Sequence, residues 1–258
     1  MPDIYQEIVR LRQRGEPAAL ATVISTKGST PRQVGAKMLV KGDGSIIESI
    51  GGGLMEAKVI QKAKEIIRSG KAEILSLKLT QEEAGEEGAL CGGQMEVFIE
   101  PLIPGERLFI FGAGHISYFL APMASAVGFQ LTIVDDREEF ANKERFPQAD
   151  QLIVDEFARA TKEISPNELS YIVIVTRGHA YDEQVLHWAL STKARYIGMI
   201  GSQSKVRTIF NNLQGKGITK EELKKVYAPI GLDIGAQSPA EIAVCILAQL
   251  IEIRRKAD

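Results

Sequence analysis

The sequence has few of the features that mark secreted, membrane-embedded or nucleic-acid-binding proteins. Its 258 residues include only two cysteines, Cys91 and Cys245, which are too few for a disulfide framework. The longest apolar stretch, residues 242–253, is too short to span a bilayer. Lysine and arginine together number 31 against 33 acidic residues, so no positive excess favours nucleic acid or anionic lipid.

An export signal is also missing from the start of the chain. The first fifteen residues, MPDIYQEIVRLRQRG, lack an apolar core and a small-residue cleavage site, and they favour a charged helix instead. We therefore expect a cytoplasmic protein with reduced cysteines, and neither a membrane nor a nucleic acid among its partners.

The composition and the positions of proline and glycine predict two folded parts. Hydrophobic residues make up 45% of the chain and charged residues 25%, as in ordinary globular proteins. The segment 101–107, PLIPGER, carries two prolines and a glycine and indicates a boundary. Before it, short branched-residue strands surround one helix near residues 55–68, and the run KGDG at 41–44 predicts a hairpin. We predict a small α+β domain over residues 1–103.

After the boundary, apolar runs suited to buried parallel strands alternate with helical segments. The runs are RLFIF, QLTIV, QLIV, YIVIV, RYIGMI and KVYAP. This alternation predicts an α/β fold, with a doubly wound parallel sheet covered on both faces. Residues 104–258 are thus predicted to form a Rossmann-type domain. Its last helix, Pro239 to Arg255, would begin after Ser238 as N-cap.

A glycine-rich turn follows the first of these strands. Residues 112–117, GAGHIS, match G-x-G-x-x-G with serine at the third glycine. Gly112 and Gly114 would permit a tight turn and close approach of a phosphate to the helix N-terminus. Asp135 follows the second strand, where a ribose-binding carboxylate would lie. The alternative is a Rossmann turn that has lost its nucleotide.

The topology gathers polar residues at one edge of the predicted sheet. Open parallel sheets bind ligands beyond the carboxyl ends of their strands. A metal site from His115, His179 and Asp182 is an alternative that no close pair of ligands in the sequence supports. The third histidine, His187, is predicted to have a structural role. The residues placed at this edge are His115, Asp135, Arg177, His179, Asp182, Gly201, Ser202, Lys205 and Asp233.

Two turns of the N-terminal part could hold an anion. The run GSTPR at 28–32 offers hydroxyls and a guanidinium, and Gly51, Gly52 and Gly53 precede a helix whose dipole favours negative charge. The alternative is a pair of ordinary turns with a solvated arginine. Cys91, before two glycines, could be a soft metal ligand, whereas Cys245 fits an apolar helix core.

These segments resemble the XdhC/CoxI family of xanthine dehydrogenase accessory proteins over nearly the whole chain. The matching pieces are ATVISTKGSTPRQVGAKMLV, SIGGGLMEAKVI, LCGGQMEVFIEPL, FIFGAGHIS, TIVDDREEFA, RGHAYDEQVL, YIGMIGSQSK and APIGLDIGAQSPAEIAV. The resemblance implies an accessory factor, not an enzyme of substrate turnover. Such a protein binds the molybdenum cofactor (molybdopterin), protects it during sulfuration and delivers it to a xanthine dehydrogenase-type molybdenum hydroxylase.

The resemblance also implies partners and site residues. The partners would be the hydroxylase and a cysteine desulfurase-type sulfur donor, and a homodimer is expected. Cys91 would contact molybdenum, but Leu54 stands where family members commonly carry a second cysteine. The predicted cofactor-binding residues are Ser29, Thr30, Arg32, Gly51, Gly52, Gly53, Cys91, Gly112, Gly114, His115, Asp135, His179, Gly201, Ser202 and Asp233.

Two other functions remain open at this point. In an NAD(P)-dependent oxidoreductase, Asp135 would hold a ribose and His115 or His179 would act as general acid or base. In a docking module, the Rossmann half would recognise the hydroxylase through its surface. Cofactor binding and nicotinamide binding distinguish these functions.

Overall fold

The computed structural model describes residues 3–78 and 93–256, and the chain divides into two compact units, Met1–Pro104 and Gly105–Asp258. None of the helices in these residues is long and apolar enough to cross a membrane. The elements of unit 1 are α1 (Ile4–Arg14), β1 (Ala18–Lys27), β2 (Lys37–Lys41), β3 (Ile46–Ile47), α2 (Gly53–Ser69), β4 (Glu73–Lys78) and β5 (Gln94–Leu102).

Unit 1 is an antiparallel sheet with the order β3-β2-β1-β5-β4 and one helix on each face. Alternate residues of β1 separate the two cores: Ala19, Ala21 and Val23 pack with α2, whereas Ala18 and Leu20 pack with α1. This alternation is the period of two that a strand imposes on its side chains. The predicted α+β class is confirmed.

The predicted hairpin is confirmed, and its second strand has only two residues. Val40 pairs with Ile46 across the KGDG turn. The run GSIIESI forms a strand only at Ile46–Ile47, since Glu48 adopts a left-handed conformation with φ 61°. That conformation is uncommon outside glycine and interrupts extended backbone.

Unit 2 alternates strands and helices as predicted. Its elements are β6 (Arg107–Phe111), α3 (His115–Ala126), β7 (Gln130–Asp135), β8 (Gln151–Val154), α4 (Phe157–Glu163), β9 (Ser170–Ile174), α5 (His179–Ala189), β10 (Tyr196–Met199), α6 (Gln203–Gly215), α7 (Lys220–Leu223), β11 (Val226–Tyr227) and α8 (Pro239–Arg255).

The six strands of unit 2 are parallel and lie in the order β11-β10-β9-β6-β7-β8. Counted from the other edge of the sheet, this is 3-2-1-4-5-6 by chain position, the strand order of a Rossmann fold. One core lies against α3 and α8, and the other lies against α4, α5 and α6. The doubly wound prediction is confirmed, as is the N-cap of α8, where Ser238 and Glu241 form a capping box.

Candidate functional site

The strand order places a crevice at the carboxyl ends of β6 and β9. After β6, the strands β7 and β8 are added toward one edge of the sheet, whereas β10 and β11 follow β9 toward the other edge. The neighbouring strands β6 and β9 therefore form the topological switch point. Ligands of open α/β sheets bind at this point. The glycine turn 112–114 follows β6, and residues 175–178 follow β9.

Gly112 serves the packing of the two strand ends. Its φ is +105°, and a Cβ at this position would lie 2.4 Å from the Val175 carbonyl oxygen. Ser117, at the third glycine position, is buried and its hydroxyl donates to the Gly112 carbonyl. Gly114 differs, because no other group lies within 4 Å of where its Cβ would be. Of these two turn glycines, Gly114 is the one that leaves room for a ligand.

Asp135 is engaged within the chain. Its carboxylate is 2% exposed and accepts a 2.8 Å hydrogen bond from the Ala113 amide at Oδ2. Arg137 donates to it from Nε at 2.9 Å and from Nη2 at 3.1 Å. This pairing raises the pKa of the Arg137 guanidinium. The Arg137 amide donates as well, at 3.2 Å, so the carboxylate that we expected to hold a ribose already has four donors from its own chain.

A second ion pair crosses the end of β6. Arg177, after β9, donates to both carboxylate oxygens of Asp136, after β7, with Nη2 to Oδ2 at 2.8 Å. Tyr181 accepts from the same guanidinium at 3.1 Å. The hydrogen bonds from Arg177 hold the pKa of Asp136 below its usual range, and Asp136 in turn raises the pKa of Arg177.

A buried cluster lies beside β9 and β10. The Asp182 carboxylate is fully buried and accepts from the Thr176 hydroxyl at 2.7 Å, from the Thr176 amide at 3.1 Å and from Lys205 Nζ. A Cβ on Gly201 would lie 2.9 Å from Lys205 Cδ, so this glycine makes room for the lysine. Ser202 caps α6 by accepting from the Lys205 amide. Gly201 and Ser202 thus have structural reasons for their identities.

The two histidines at this edge are exposed, and they begin helices. His115 is the first residue of α3, His179 is the first residue of α5, and Asp233 is exposed in the segment before α8. Within residues 3–78 and 93–256, no group of three His, Cys, Asp or Glu could hold a metal. The alternative of a His115–His179–Asp182 metal site is therefore wrong. The buried Asp182 carboxylate already accepts hydrogen bonds from Thr176 and Lys205.

In unit 1, three sequence motifs meet. A Cβ on Gly51, whose φ is +138°, would lie 2.4 Å from Pro31 Cγ of the GSTPR loop. A Cβ on Gly93 would lie 2.1 Å from the Ser29 carbonyl oxygen. The GSTPR loop, where Thr30 Oγ1 donates to the Arg32 carbonyl at 3.0 Å, therefore touches both glycine-bearing segments. Arg32 itself is exposed.

Backbone amides of the triple glycine 51–53 are hydrogen-bonded within the chain, in part by Glu56, a residue for which the sequence predicted no such role. Glu56, in the first turn of α2, accepts from the Gly52 amide at 3.3 Å and from the Ser49 hydroxyl at 2.6 Å. The Ser49 hydroxyl also accepts from the Gly51 amide at 3.1 Å. Two amides predicted to face an external anion are thus bonded inside the chain. An acidic residue four positions after a glycine N-cap was the available signal.

The two cysteine positions of the family pattern have different outcomes. Leu54 is 57% exposed at the start of α2, and Cys91 lies outside the described residues. Cys245 is buried in α8, as predicted.

Comparison with known proteins places this architecture in a family. The profile of the XdhC Rossmann domain matches residues 108–250, and the profile of the XdhC and CoxI family matches residues 11–78. Over 99% of the chain, the sequence is 32% identical to YqeB of Escherichia coli (strain K12), and it spans 47% of that protein's length.

Two further relatives and one crystal structure have informative names. The chain is 24% identical to a probable xanthine dehydrogenase subunit from Bacillus subtilis (strain 168), with 99% of both chains covered. It is 22% identical to the molybdenum cofactor insertion chaperone PaoD of E. coli (strain K12), over 97% of this chain and 88% of PaoD. A Bacillus halodurans crystal structure described as a xanthine dehydrogenase covers 98% of this chain and 96% of its own, with TM-score 0.55 and 25% identity.

Proposed function

Because the chain belongs to the XdhC and CoxI family, we propose that it is an accessory protein that carries the molybdenum cofactor to a xanthine dehydrogenase-type hydroxylase. The observation that carries this proposal is the extent of the likeness to a protein named as a molybdenum cofactor insertion chaperone, 97% of this chain. The cofactor is cargo in this role, and the chain turns over no substrate.

The residues of unit 2 suit one part of that cargo. Molybdopterin carries a phosphate, a pterin with hydrogen-bonding edges and a dithiolene-bound metal. Gly114 leaves open space at the start of α3, where the amide dipoles favour a phosphate. The exposed His115 and His179 begin the two helices that flank the crevice and can donate or accept at a pterin edge.

The residues of unit 1 supply a second candidate surface. Ser29, Thr30 and Arg32 lie on a loop that contacts Gly51 and Gly93. We propose that Cys91, two residues before Gly93 in the sequence, is the sulfur ligand of this surface. With Leu54 in place of a second thiolate, this chain would offer the metal one cysteine.

An NAD(P)-dependent oxidoreductase is not favoured by this geometry. Such an enzyme needs a carboxylate at the end of the second strand that can accept from ribose hydroxyls. Asp135 occupies that position, but Arg137 and the Ala113 amide already donate to both of its oxygens.

Binding measurements test the proposal directly. The purified chain is mixed with cofactor released from a molybdenum hydroxylase, passed through a desalting column and assayed for molybdenum and for pterin fluorescence after oxidation. We expect cofactor to stay with the protein, and calorimetry with NADH and NADPH to show no heat of binding. Tight NAD(P)H binding with hydride transfer to a small substrate would overturn the proposal.

A matched pair of cysteine variants tests the sulfur ligand. Cys91→Ser should lower the retention of cofactor and the activation of a client hydroxylase, whereas Cys245→Ser should retain both functions. Equal behaviour of the two variants would show that Cys91 is not the sulfur ligand.

The finer steps of the role have their own assay. We propose that the bound cofactor is sulfurated by a cysteine desulfurase-type donor before it is handed over, and that the carrier acts as a homodimer. The first step predicts that desulfurase and cysteine raise client activation only in the presence of this chain. Light scattering measures the mass of the assembly, and a monomer that activates the client fully would contradict the dimer.

A further inference from the structure

The ion pair of Asp136 and Arg177 occupies the place where a ligand of this fold would lie. Asp136 follows β7 and Arg177 follows β9, and β6 lies between these two strands in the sheet. A direct bond between the two residues must therefore cross the carboxyl end of β6, which is where the turn 112–114 begins. The pair spans the switch-point crevice from one side to the other.

The geometry of this pair is that of anion recognition. Both terminal guanidinium nitrogens of Arg177 donate to the two oxygens of one carboxylate, the planar arrangement by which arginine also binds phosphate. The ring of Tyr181 lies 4.9 Å from the Arg177 guanidinium carbon and supports it from α5. The Arg177 side chain is 38% exposed, so an incoming anion can reach it.

The surroundings of the pair supply the rest of a phosphate site. Helices α3 and α5 begin on either side, with N-caps Gly114 and Gly178 that have no side chain to occupy the first amides. The turn itself lies close to Arg177, since a Cβ on Gly112 would be 2.9 Å from Thr176 Cα. Asp135 adds little net repulsion because Arg137 neutralises it.

We infer that Arg177 is the phosphate-binding residue of this crevice and that Asp136 is an internal substitute for the phosphate, which the ligand displaces. The ligand class is a phosphomonoester or pyrophosphate, and under the proposed function it is the phosphate of the molybdenum cofactor. The inference rests on that function only for the identity of the ligand. The pair lies near the surface, with the Arg177 side chain 38% and the Asp136 side chain 18% exposed, so separating it costs little. A ligand that offers more negative charge can therefore displace Asp136 from Arg177.

Variants of the two partners separate this role from a purely structural one. Asp136→Asn removes the competing charge and should tighten pyrophosphate binding by roughly two- to fivefold. Arg177→Gln removes the charged fork and should weaken it by roughly tenfold or more. Arg177→Lys keeps the charge but loses the two parallel donors of the guanidinium. Its pyrophosphate affinity should lie between that of Arg177→Gln and that of the parent chain. If the pair only ties two loops together, both variants change binding in the same direction or leave it unchanged.

The ion pair between Glu183 and Lys216 provides the control. Glu183 on α5 binds Lys216 and Asn212 near the end of α6, so it also joins two elements. Glu183→Gln should leave the pyrophosphate affinity unchanged. Calorimetry with inorganic pyrophosphate, with isolated cofactor and with NADH distinguishes the sources of the phosphate.

One measurement needs no variant. In the parent chain, the carboxyl-carbon NMR signal of Asp136 should move when pyrophosphate is added, because the carboxylate leaves the guanidinium. A signal that stays fixed at saturation would overturn the inference. Cofactor binding that is indifferent to Arg177 also overturns it while the proposed function stands. Opposite effects of the Asp136 and Arg177 variants on pyrophosphate, without any cofactor binding, leave the inference and remove the function.

Discussion

Gly112 and Gly114 stand in one turn for different physical reasons. Gly112 adopts φ +105° and has the Val175 carbonyl where a side chain would be. Gly114 has φ −76° and open space. A motif match assigns both glycines to the ligand, whereas the contacts assign one to packing and one to access.

This difference predicts opposite kinds of damage. Gly112→Ala combines a strained φ with a backbone clash and should lower the free energy of unfolding by about 2 kcal/mol or more. Gly114→Val should cost less than about 1 kcal/mol, since its extended backbone suits any residue and only the N-cap preference is lost. It should nevertheless weaken cofactor binding. Urea unfolding followed by circular dichroism measures the first effect, and cofactor retention measures the second.

The comparison can fail in two ways. Equal stability losses at the two positions would contradict the packing role of Gly112. Unchanged cofactor binding in a folded Gly114→Val protein would show that the turn is structural only.

At the scale of elements, the beginning of α2 carries its own anion. The Glu56 carboxylate bonds the Gly52 amide and the Ser49 hydroxyl at the positive end of the helix. The loop before it holds Glu48 at φ 61°, a conformation that neighbouring bonds must sustain. Glu56 therefore acts as a cap for a helix whose glycine N-cap has no side chain.

Removing this cap should destabilise unit 1. We expect Glu56→Ala to lower the free energy of unfolding by about 1 kcal/mol. Glu65→Ala is the control, since Glu65 lies on the same helix in an exposed pair with Lys62 and should change stability by less than about 0.5 kcal/mol. Thermal unfolding of both variants decides it, and similar melting temperatures would argue against the capping role.

At the scale of the whole molecule, unit 2 carries a polar network near the start of its strands. The Glu106 carboxylate accepts from the Tyr171 hydroxyl at 2.7 Å and from Arg195 at 3.3 Å, and it forms an ion pair with Arg254. Arg254 also stacks on Phe129, with 4.0 Å to the ring centroid. Burial, reinforced by the Glu106 carboxylate, raises the pKa of Tyr171 to about 12.

The raised pKa of Tyr171 predicts an alkaline loss of stability. Near pH 8 the phenol is protonated in both states, and Tyr171→Phe should cost about 1 kcal/mol through the lost hydrogen bond. Above pH 10 the unfolded chain ionises first, because its pKa is lower, so the parent loses stability as pH rises toward 12. The Tyr171→Phe variant lacks this loss. The difference in free energy of unfolding between the parent and the variant should therefore become smaller as pH rises.

Urea titrations at pH 8 and pH 10.5 measure the gap, with Tyr118→Phe as the control. Tyr118 is 48% exposed and has no place in this network, so its variant should follow the parent at both pH values. A Tyr171→Phe gap that stays constant would contradict the pKa argument.

The two units predict an experiment on the domain boundary. All residues of the two cores of unit 2 lie between positions 108 and 250. We expect a fragment of residues 105–258 to fold by itself, with dispersed amide NMR signals and a cooperative thermal transition. A fragment starting at residue 116 lacks β6, a central strand, and should not fold. A 105–258 fragment that stays unfolded would contradict the boundary predicted from PLIPGER.

The elements were predictable from the sequence because their signals are local. Apolar runs of four to six residues, separated by helical segments, specified the parallel sheet of unit 2. Ser238 followed by Pro239 marked the start of α8, and KGDG marked the hairpin, since caps and turns depend on neighbouring residues. The gathering of polar residues at the carboxyl edge followed from topology alone.

Only the tertiary structure decided which of these polar groups are available. Ala113 bonds Asp135 across 22 positions and Arg177 bonds Asp136 across 41, and nothing in the local pattern specifies such partners. Glu56 was missed because a helical glutamate usually faces solvent. The sequence thus predicted the sheet edge at which the polar residues lie, since the alternation of strands and helices implies a parallel sheet. The fold decided which groups in the site already have partners, because hydrogen-bond and charge pairing depend on distances that only packing sets.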